Sequence, residues 1–226
     1  MRGRADRILD AAGALLLRHG YSKLTIGDIA EKAGVGKGTV YLHWRAKQDL
    51  FEALFMRESI IVIDELLDGL RADPGLITPH RFYARVFEVT TERPLVAAVV
   101  LQDTELLGKL ADSSLRSHKL LAGERGFELM VRYGLLRGDL PGIQFALQAT
   151  LSGYFLYDSL DLATGAGLDL ATRSRLLAHT IRTAFEPPET DHAEAVRVEP
   201  AAAEFVALYG DLADTYRKSI YSSDPG

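Results

Sequence analysis

Lys37, Gly38, Thr39, Tyr41 and His43 follow one another closely, with Lys47 just beyond them. An ammonium, a hydroxyl, a phenol and an imidazole grouped in this way are hydrogen-bonding equipment, suited to phosphate oxygens and to the edges of base pairs. The glycine among them lets a backbone come close to a partner. Bond-making chemistry has no comparable grouping. No histidine pairs with another histidine or a carboxylate at metal-ligand spacing, no serine sits in a nucleophile elbow, and there is no cysteine. That removes thiolate metal sites, cysteine nucleophiles and a disulfide framework. Lone His80, His118 and His179 read as surface or packed residues. No catalytic residue, metal site or cofactor is expected.

The elements that would position this group are three short helices. From Arg4 to His19, Ile8, Ala11, Ala12, Leu15 and Leu16 recur at three- and four-residue steps while Arg7, Asp10 and Arg18 lie off the stripe, which predicts an amphipathic first helix. Gly20 closes it, and Tyr21 packs back as a hydrophobic stop. Thr25 caps a second helix, its hydroxyl accepting from the backbone N–H of Gly27 or Asp28, with Asp28 adding negative charge to the first turn. Ile26, Ile29, Ala30 and Ala33 form its buried stripe. Gly34 makes the turn, Val35 plugs the core, and a third helix runs from about Lys37 to Trp44 with Val40 and Trp44 inward.

This is a helix-turn-helix, a device for reading DNA. Its outward set is Lys37, Gly38, Thr39, Tyr41 and His43. A recognition helix puts its N-terminal residues against base edges in the major groove, so Lys37 is a candidate for guanine O6/N7 and Thr39 for a base edge or phosphate. Tyr41 and Lys47 would hold phosphates, and Thr25 stands at the N-terminus of the preceding helix. The blander reading is three packed helices with a solvated basic face. Charge favours the reader. The chain of 226 residues has a net charge of -5, yet residues 1–50 hold nine Lys/Arg against five Asp/Glu, a net of +4, leaving seventeen against twenty-six, or -9, for the remainder. A basic head on an acidic body is expected if only the head touches phosphates.

The residues Ala11-Ala12, Gly20-Tyr21, Thr25-Ile26, Ile29-Ala30, Ala33-Gly34-Val35, Lys37-Gly38-Thr39-Val40-Tyr41, Lys47 and Leu50 together strongly resemble the TetR family of bacterial transcriptional regulators over about the first fifty positions. Gly36 and Ala46 stand where the family usually has cap hydroxyls, and Trp44 where phenylalanine is common. A glycine cap costs only a few tenths of a kcal/mol and an alanine cap about 1 kcal/mol, so the fourth helix is expected to start less firmly.

Abundant alanine and leucine, with prolines and glycines falling between periodic segments, predict an all-α chain. The expected division is a reader at residues 1–46, a helical effector-binding and dimerisation body at 47–185 whose helix 47–72 links the two, and a linker plus an extra helix at 186–226. Leu50, Leu54, Ile61, Leu67 and Leu70 mark the linking helix, and Asp73-Pro74-Gly75 ends it. Further helices are expected from Thr78-Pro79 to Glu92, from Pro94 to about Leu110, from Ser113 or Ser114 to Tyr133-Gly134, over 142–164 and 168–185, and from Pro200 to Ile220.

The helix after Pro141 is apolar on more than one side, with Ile143, Ala146, Leu147, Leu151, Tyr154, Phe155, Leu160 and Leu162. It therefore needs neighbours on two faces. A buried monomer core would explain this, but the resemblance implies a homodimer paired through this helix and the next, with Gly153 allowing close approach and an inverted-repeat operator on double-stranded DNA. A small-molecule effector is implied too, with Phe82, Phe87, Phe127, Met130 and Tyr154 as apolar lining and Gln102, Arg125 and Gln148 as polar contacts. Core packing is the plainer reading of each. The N-terminus is charged and the following apolar stretch is broken by Asp10 and Arg18, so no signal peptide or membrane span is expected and the cytoplasm is the default compartment. Together these readings point to a ligand-responsive repressor. A helical small-molecule-binding protein or enzyme with a structural basic head, and an effector-independent architectural DNA-binding protein, stay as alternatives.

Overall fold

In the computed structural model all regular structure among the described residues, 2–101, 103–112, 114–159, 167–188 and 194–220, is helical. The α-helices are α1 (Arg2–His19), α2 (Ile26–Ala33), α3 (Lys37–His43), α4 (Lys47–Ala72), α5 (Pro79–Thr91), α6 (Pro94–Leu101), α7 (Thr104–Leu107), α8 (Ser114–Arg132), α9 (Ile143–Ser159), α10 (Leu170–Phe185) and α11 (Glu194–Ile220). Short 3-10 turns occupy Tyr21–Lys23, Pro74–Ile77 and Gly108–Asp112. Among the described residues no helix is long and apolar enough to cross a membrane.

Two compact units emerge. The first takes in the described residues of Met1–Ile61, Arg93–His118 and Leu212–Gly226, so it reaches past the expected boundary at residue 46. Ile8, Leu9, Ala12 and Leu16 of α1, Ile29 of α2, Val40 of α3 and Leu50, Phe51 and Leu54 of α4 are fully enclosed and form its centre. Arg57 of α4 pairs with Asp10 of α1 at 2.8 Å and donates to the Asp6 carbonyl. α6 and α7 both pack on α1.

Periodicity predicts one helix from Pro94 to Leu110, but the chain breaks into α6, α7 and a 3-10 turn. The reason is local capture: the Asp103 carboxylate accepts from Leu106 N–H at 2.9 Å, and Gly108 takes φ 52°. Val35 is half-buried instead of plugging the core, Ala33 is half-buried, and Ile61 is 38 % exposed despite its place on the apolar repeat. Gly34 meets its expectation, with φ 66° and ψ 39° and an N–H returned to the carbonyls of Ala30 and Glu31. Only glycine, and less readily asparagine, takes that left-handed conformation without strain.

The second unit comprises the described residues of Val62–Glu92 and Lys119–Asp211. Its densest pairing is α5 against α10, sealed by Leu177, Ile181 and Phe185 of α10 and Phe82, Ala84, Phe87 and Val89 of α5. Between these two helices the Ser174 hydroxyl donates to Glu88 at 2.6 Å. α9 lays Phe155 against Phe87 with centroids 5.2 Å apart, and α11 brings Phe205 edge-on to Phe82 at 4.9 Å.

α9 begins one residue later than predicted and ends at Ser159; the expected continuation to 164, with Leu160 and Leu162, lies outside the described residues. α11 begins at Glu194 and carries Pro200 inside it, where a start at the proline was expected. Phe205, Tyr216 and Ile220 lie on its buried side.

Candidate nucleic-acid interface

The start of α2 is fixed by a reciprocal cap. Asp28 N–H donates to the Thr25 hydroxyl oxygen at 3.2 Å, while Thr25 N–H and Thr25 Oγ1 each donate to the Asp28 carboxylate at 2.8 Å. Sequence reading finds the hydroxyl but not the returning carboxylate, although Thr-x-x-Asp is a close variant of the capping-box pattern. These hydrogen bonds hold the Asp28 carboxyl below its ordinary value. Thr25 is exposed, but its hydroxyl is already engaged at the cap.

From Gly34 the chain enters α3 through Gly36, whose extended backbone has no capping side chain; its carbonyl accepts from Thr39 N–H at 2.9 Å. Val40 and Trp44 lie beneath as expected, 0 % and 2 % exposed. Lys37 and Gly38 are exposed, Thr39 is half-buried, and Tyr41 is exposed. His43 is less outward than predicted, half-buried with its ring 5.4 Å from that of Trp44.

Two features escape the sequence pattern. Leu42 is 64 % exposed beside Tyr41. Its position four residues after Gly38 puts it on the outward face, and its apolar type hides it. Gly27 is the second: a Cβ there would stand 2.7 Å from Lys37 Cε, so the absence of a side chain on α2 lets the Lys37 stem lie across it.

Lys47 is placed differently from a free phosphate clamp. Its ammonium donates to the Tyr21 carbonyl and stands 3.9 Å from the centroid of the Tyr21 ring, which in turn packs edge-on to Phe51. Burial lowers the Lys47 pKa, with Asp28 opposing. Lys47 thus ties the beginning of the α1–α2 connection to the start of α4. At that start the Asp49 carboxylate accepts from Ala46 N–H at 3.0 Å, while Ala46 offers no side-chain oxygen to the first N–H groups of the helix.

The residues expected to line an effector pocket do not form one group. Phe82, Phe87 and Met130 are core residues. Phe127 and Tyr154 are half-buried, the latter with its hydroxyl 3.2 Å from that of Thr180, and Arg125 and Gln148 are exposed. Gln102 lies outside the described residues.

Residues 8–54 match the family described as bacterial regulatory proteins, tetR family. The chain is 46 % identical over 59 residues to an uncharacterized HTH-type transcriptional regulator, YvkB of Bacillus subtilis (strain 168), covering 26 % of this chain and 31 % of that one. It is 33 % identical over 72 residues to a probable acrEF/envCD operon repressor of Escherichia coli (strain K12), covering 30 % and 33 %. With the HTH-type transcriptional regulator TtgR of Pseudomonas putida it shares 24 % over 164 residues, 68 % of this chain and 76 % of that one. The chain thus spans about a third of the length of the first two relatives. No solved structure matches. The likeness to bacterial regulatory proteins of the tetR family thus rests on residues 8–54.

Proposed function

We propose that this chain is a sequence-specific, DNA-binding transcriptional regulator, not an enzyme, and that it acts in the cytoplasm as a homodimer on an inverted repeat. The observation that carries the proposal is the exposed face of α3. Lys37, Gly38, Tyr41 and Leu42 lie on the surface of a helix whose other side is locked by Val40 and Trp44. Lys37 and Thr39 read base edges, Leu42 can meet a thymine methyl, and Tyr41 donates to phosphate. Thr25, His43 and Lys47 act by holding the face in place, since the Thr25 hydroxyl and the Lys47 ammonium already have partners inside the protein.

Residues 1–46 serve as the reader, 47–72 as the link, the rest of 47–185 as the body, and 186–226 as a linker plus an extra helix. Homodimerisation through α9 and α10 is supported by large apolar side chains at the surface: Phe145 is 77 % exposed, Leu156 46 % and Leu176 47 %. Phe145, Ala149 and Leu156 recur at helical spacing, and a Cβ at Gly153 would meet nothing within 4 Å. A two-fold dimer sets two recognition helices about 34 Å apart, one turn of B-DNA.

The repressor reading is supported by the name of the Escherichia coli relative. A small-molecule effector works by linkage, favouring a dimer in which the two α3 helices no longer fit successive major grooves. The test is fluorescence anisotropy on a selected duplex. Lys37→Ala and Thr39→Ala change base preference, and Tyr41→Phe weakens binding evenly across sequences; wild-type affinity and preference in all three variants would refute the assignment.

A further inference from the structure

We infer that Gly27 is a specificity-determining residue of the proposed reader: by leaving its side-chain position empty, it directs the Lys37 tail across α2 and so fixes which guanine edge in each half-site the ammonium meets. The inference rests on the regulator reading, since it gives Gly27 a part in recognising double-stranded DNA.

Nothing in the backbone asks for glycine at this position. Gly27 is the second residue of α2 and is not among the glycines of positive φ, so alanine fits its conformation and is the more favourable residue within a helix. What a side chain there would meet is specific. A Cβ would stand 2.7 Å from Lys37 Cε and 3.0 Å from Lys37 Nζ, with Thr25 Oγ1 next at 3.3 Å. The Thr25 hydroxyl needs to give by only a few tenths of an ångström. The lysine tail must move further, because carbon atoms pack at about 3.5–4.0 Å, which drives Cε back by about 1 Å and carries the ammonium with it.

The course of this tail matters because lysine brings no geometry of its own to a base edge. Its ammonium is a point charge on a flexible four-carbon stem, unlike the planar guanidinium of arginine, so its selectivity depends on where the stem is laid. Lys37 opens α3 and is exposed, and its stem rests on the bare backbone of α2. The two helices therefore set the place of the charge together. Asp28, the next residue of α2, senses it: the Thr25 hydrogen bonds chiefly, and the Lys37 charge to a smaller extent, hold the Asp28 carboxyl below its ordinary value. Guanine offers O6 and N7 as acceptors for such a charge.

The test begins with duplexes selected from a random pool by the full wild-type chain. The preferred half-site is then changed symmetrically, one base pair at a time, and affinities are measured by fluorescence anisotropy for wild type, Gly27→Ala, Lys37→Ala and the double variant. Gly27→Ala is expected to keep binding while losing at least about fivefold of the preference at one G·C pair, the same pair at which Lys37→Ala loses it. In the Lys37→Ala background the added methyl changes nothing. The urea midpoint read from the single tryptophan, Trp44, is unchanged or raised in Gly27→Ala.

Unaltered preference in Gly27→Ala, or an even loss of affinity on every duplex, would overturn the assignment. So would an effect of the methyl that persists without Lys37, which would mean that it meets DNA itself, or a lowered urea midpoint, which would mean that it meets the fold and not the tail. A wild-type pool that stays random refutes the regulator reading and the role of Gly27 with it. An enriched site whose base preference survives intact in Gly27→Ala refutes the role of Gly27 alone.

Discussion

Replacing Gly38 by alanine is expected to move stability and DNA affinity in opposite directions. Gly38 is the second residue of α3, is exposed, and has no atom within 4 Å of the position a Cβ would take. In the free protein the methyl therefore meets no steric obstacle. Glycine in a helix interior is about 1 kcal/mol less favourable than alanine, and in a first turn roughly half of that applies, so Gly38→Ala stabilises the reader by about 0.5 kcal/mol. Against DNA the same methyl lies between the backbone of α3 and the groove floor. Displacing Lys37 or Thr39 from one base contact costs about 1–3 kcal/mol, or roughly 5- to 150-fold in Kd.

Both signs can be read separately. The single tryptophan, Trp44, is buried at the end of α3, so its fluorescence in urea reports unfolding of this unit, while anisotropy on a labelled operator gives Kd. A Gly38→Ala variant that binds operator as tightly as wild type, with its urea midpoint unchanged or raised, would refute the placement of this helix end against DNA. If the midpoint falls, the space around Gly38 is not free.

Gly34→Ala forces a Cβ into φ 66° with nothing nearby to clash, so backbone strain alone lowers stability by about 1–2 kcal/mol; Gly34→Asn costs less, and the Trp44 urea midpoint ranks the two. The Asp28 carboxyl is lowered by the Thr25 side chain and backbone. A depressed folded pKa means its contribution is complete above the ordinary value of 3.8 and is lost as pH falls through the folded one. Asp28→Asn thus flattens the acid limb of the stability curve, and an unchanged limb would contradict the cap's role. Lys37→Ala costs about 1–3 kcal/mol on the preferred site and relaxes base preference there, whereas Tyr41→Phe weakens binding evenly across sequences and leaves the slope of log Kd against log salt unaltered, since a phenol releases no counterion; anisotropy on two duplexes over a salt series checks both. Phe145→Glu, at a side chain 77 % exposed, yields a folded monomer in sedimentation; a dimer retained in full would move the interface away from α9.

The reader was legible because its signals are local. Thr25 at a cap, Gly34 at a left-handed turn and Val40 and Trp44 at helical spacing each act within one or two turns, and the chain folds there as read. Elsewhere the deciding contacts come from residues far apart in sequence. Whether Lys47 points to solvent depends on the Tyr21 carbonyl and ring, and how Lys37 lies depends on the missing side chain at Gly27. The run after Pro94 is apolar enough for one helix, yet Asp103 caps a new one inside it. Phe82 and Phe87 carry the same aromatic signal whether they line a pocket or pack a core; the partners that decide it, Phe205 and Phe155, stand on other helices.

Whether the exposed face of α3 reads sequence as half of a symmetric pair is decided by selecting bound duplexes from a random pool with the full chain. Enrichment of one inverted repeat with half-site centres about one helical turn apart is expected, as is loss of that preference in Lys37→Ala. A pool that stays random, or an enriched site without two-fold symmetry, would contradict the symmetric reader.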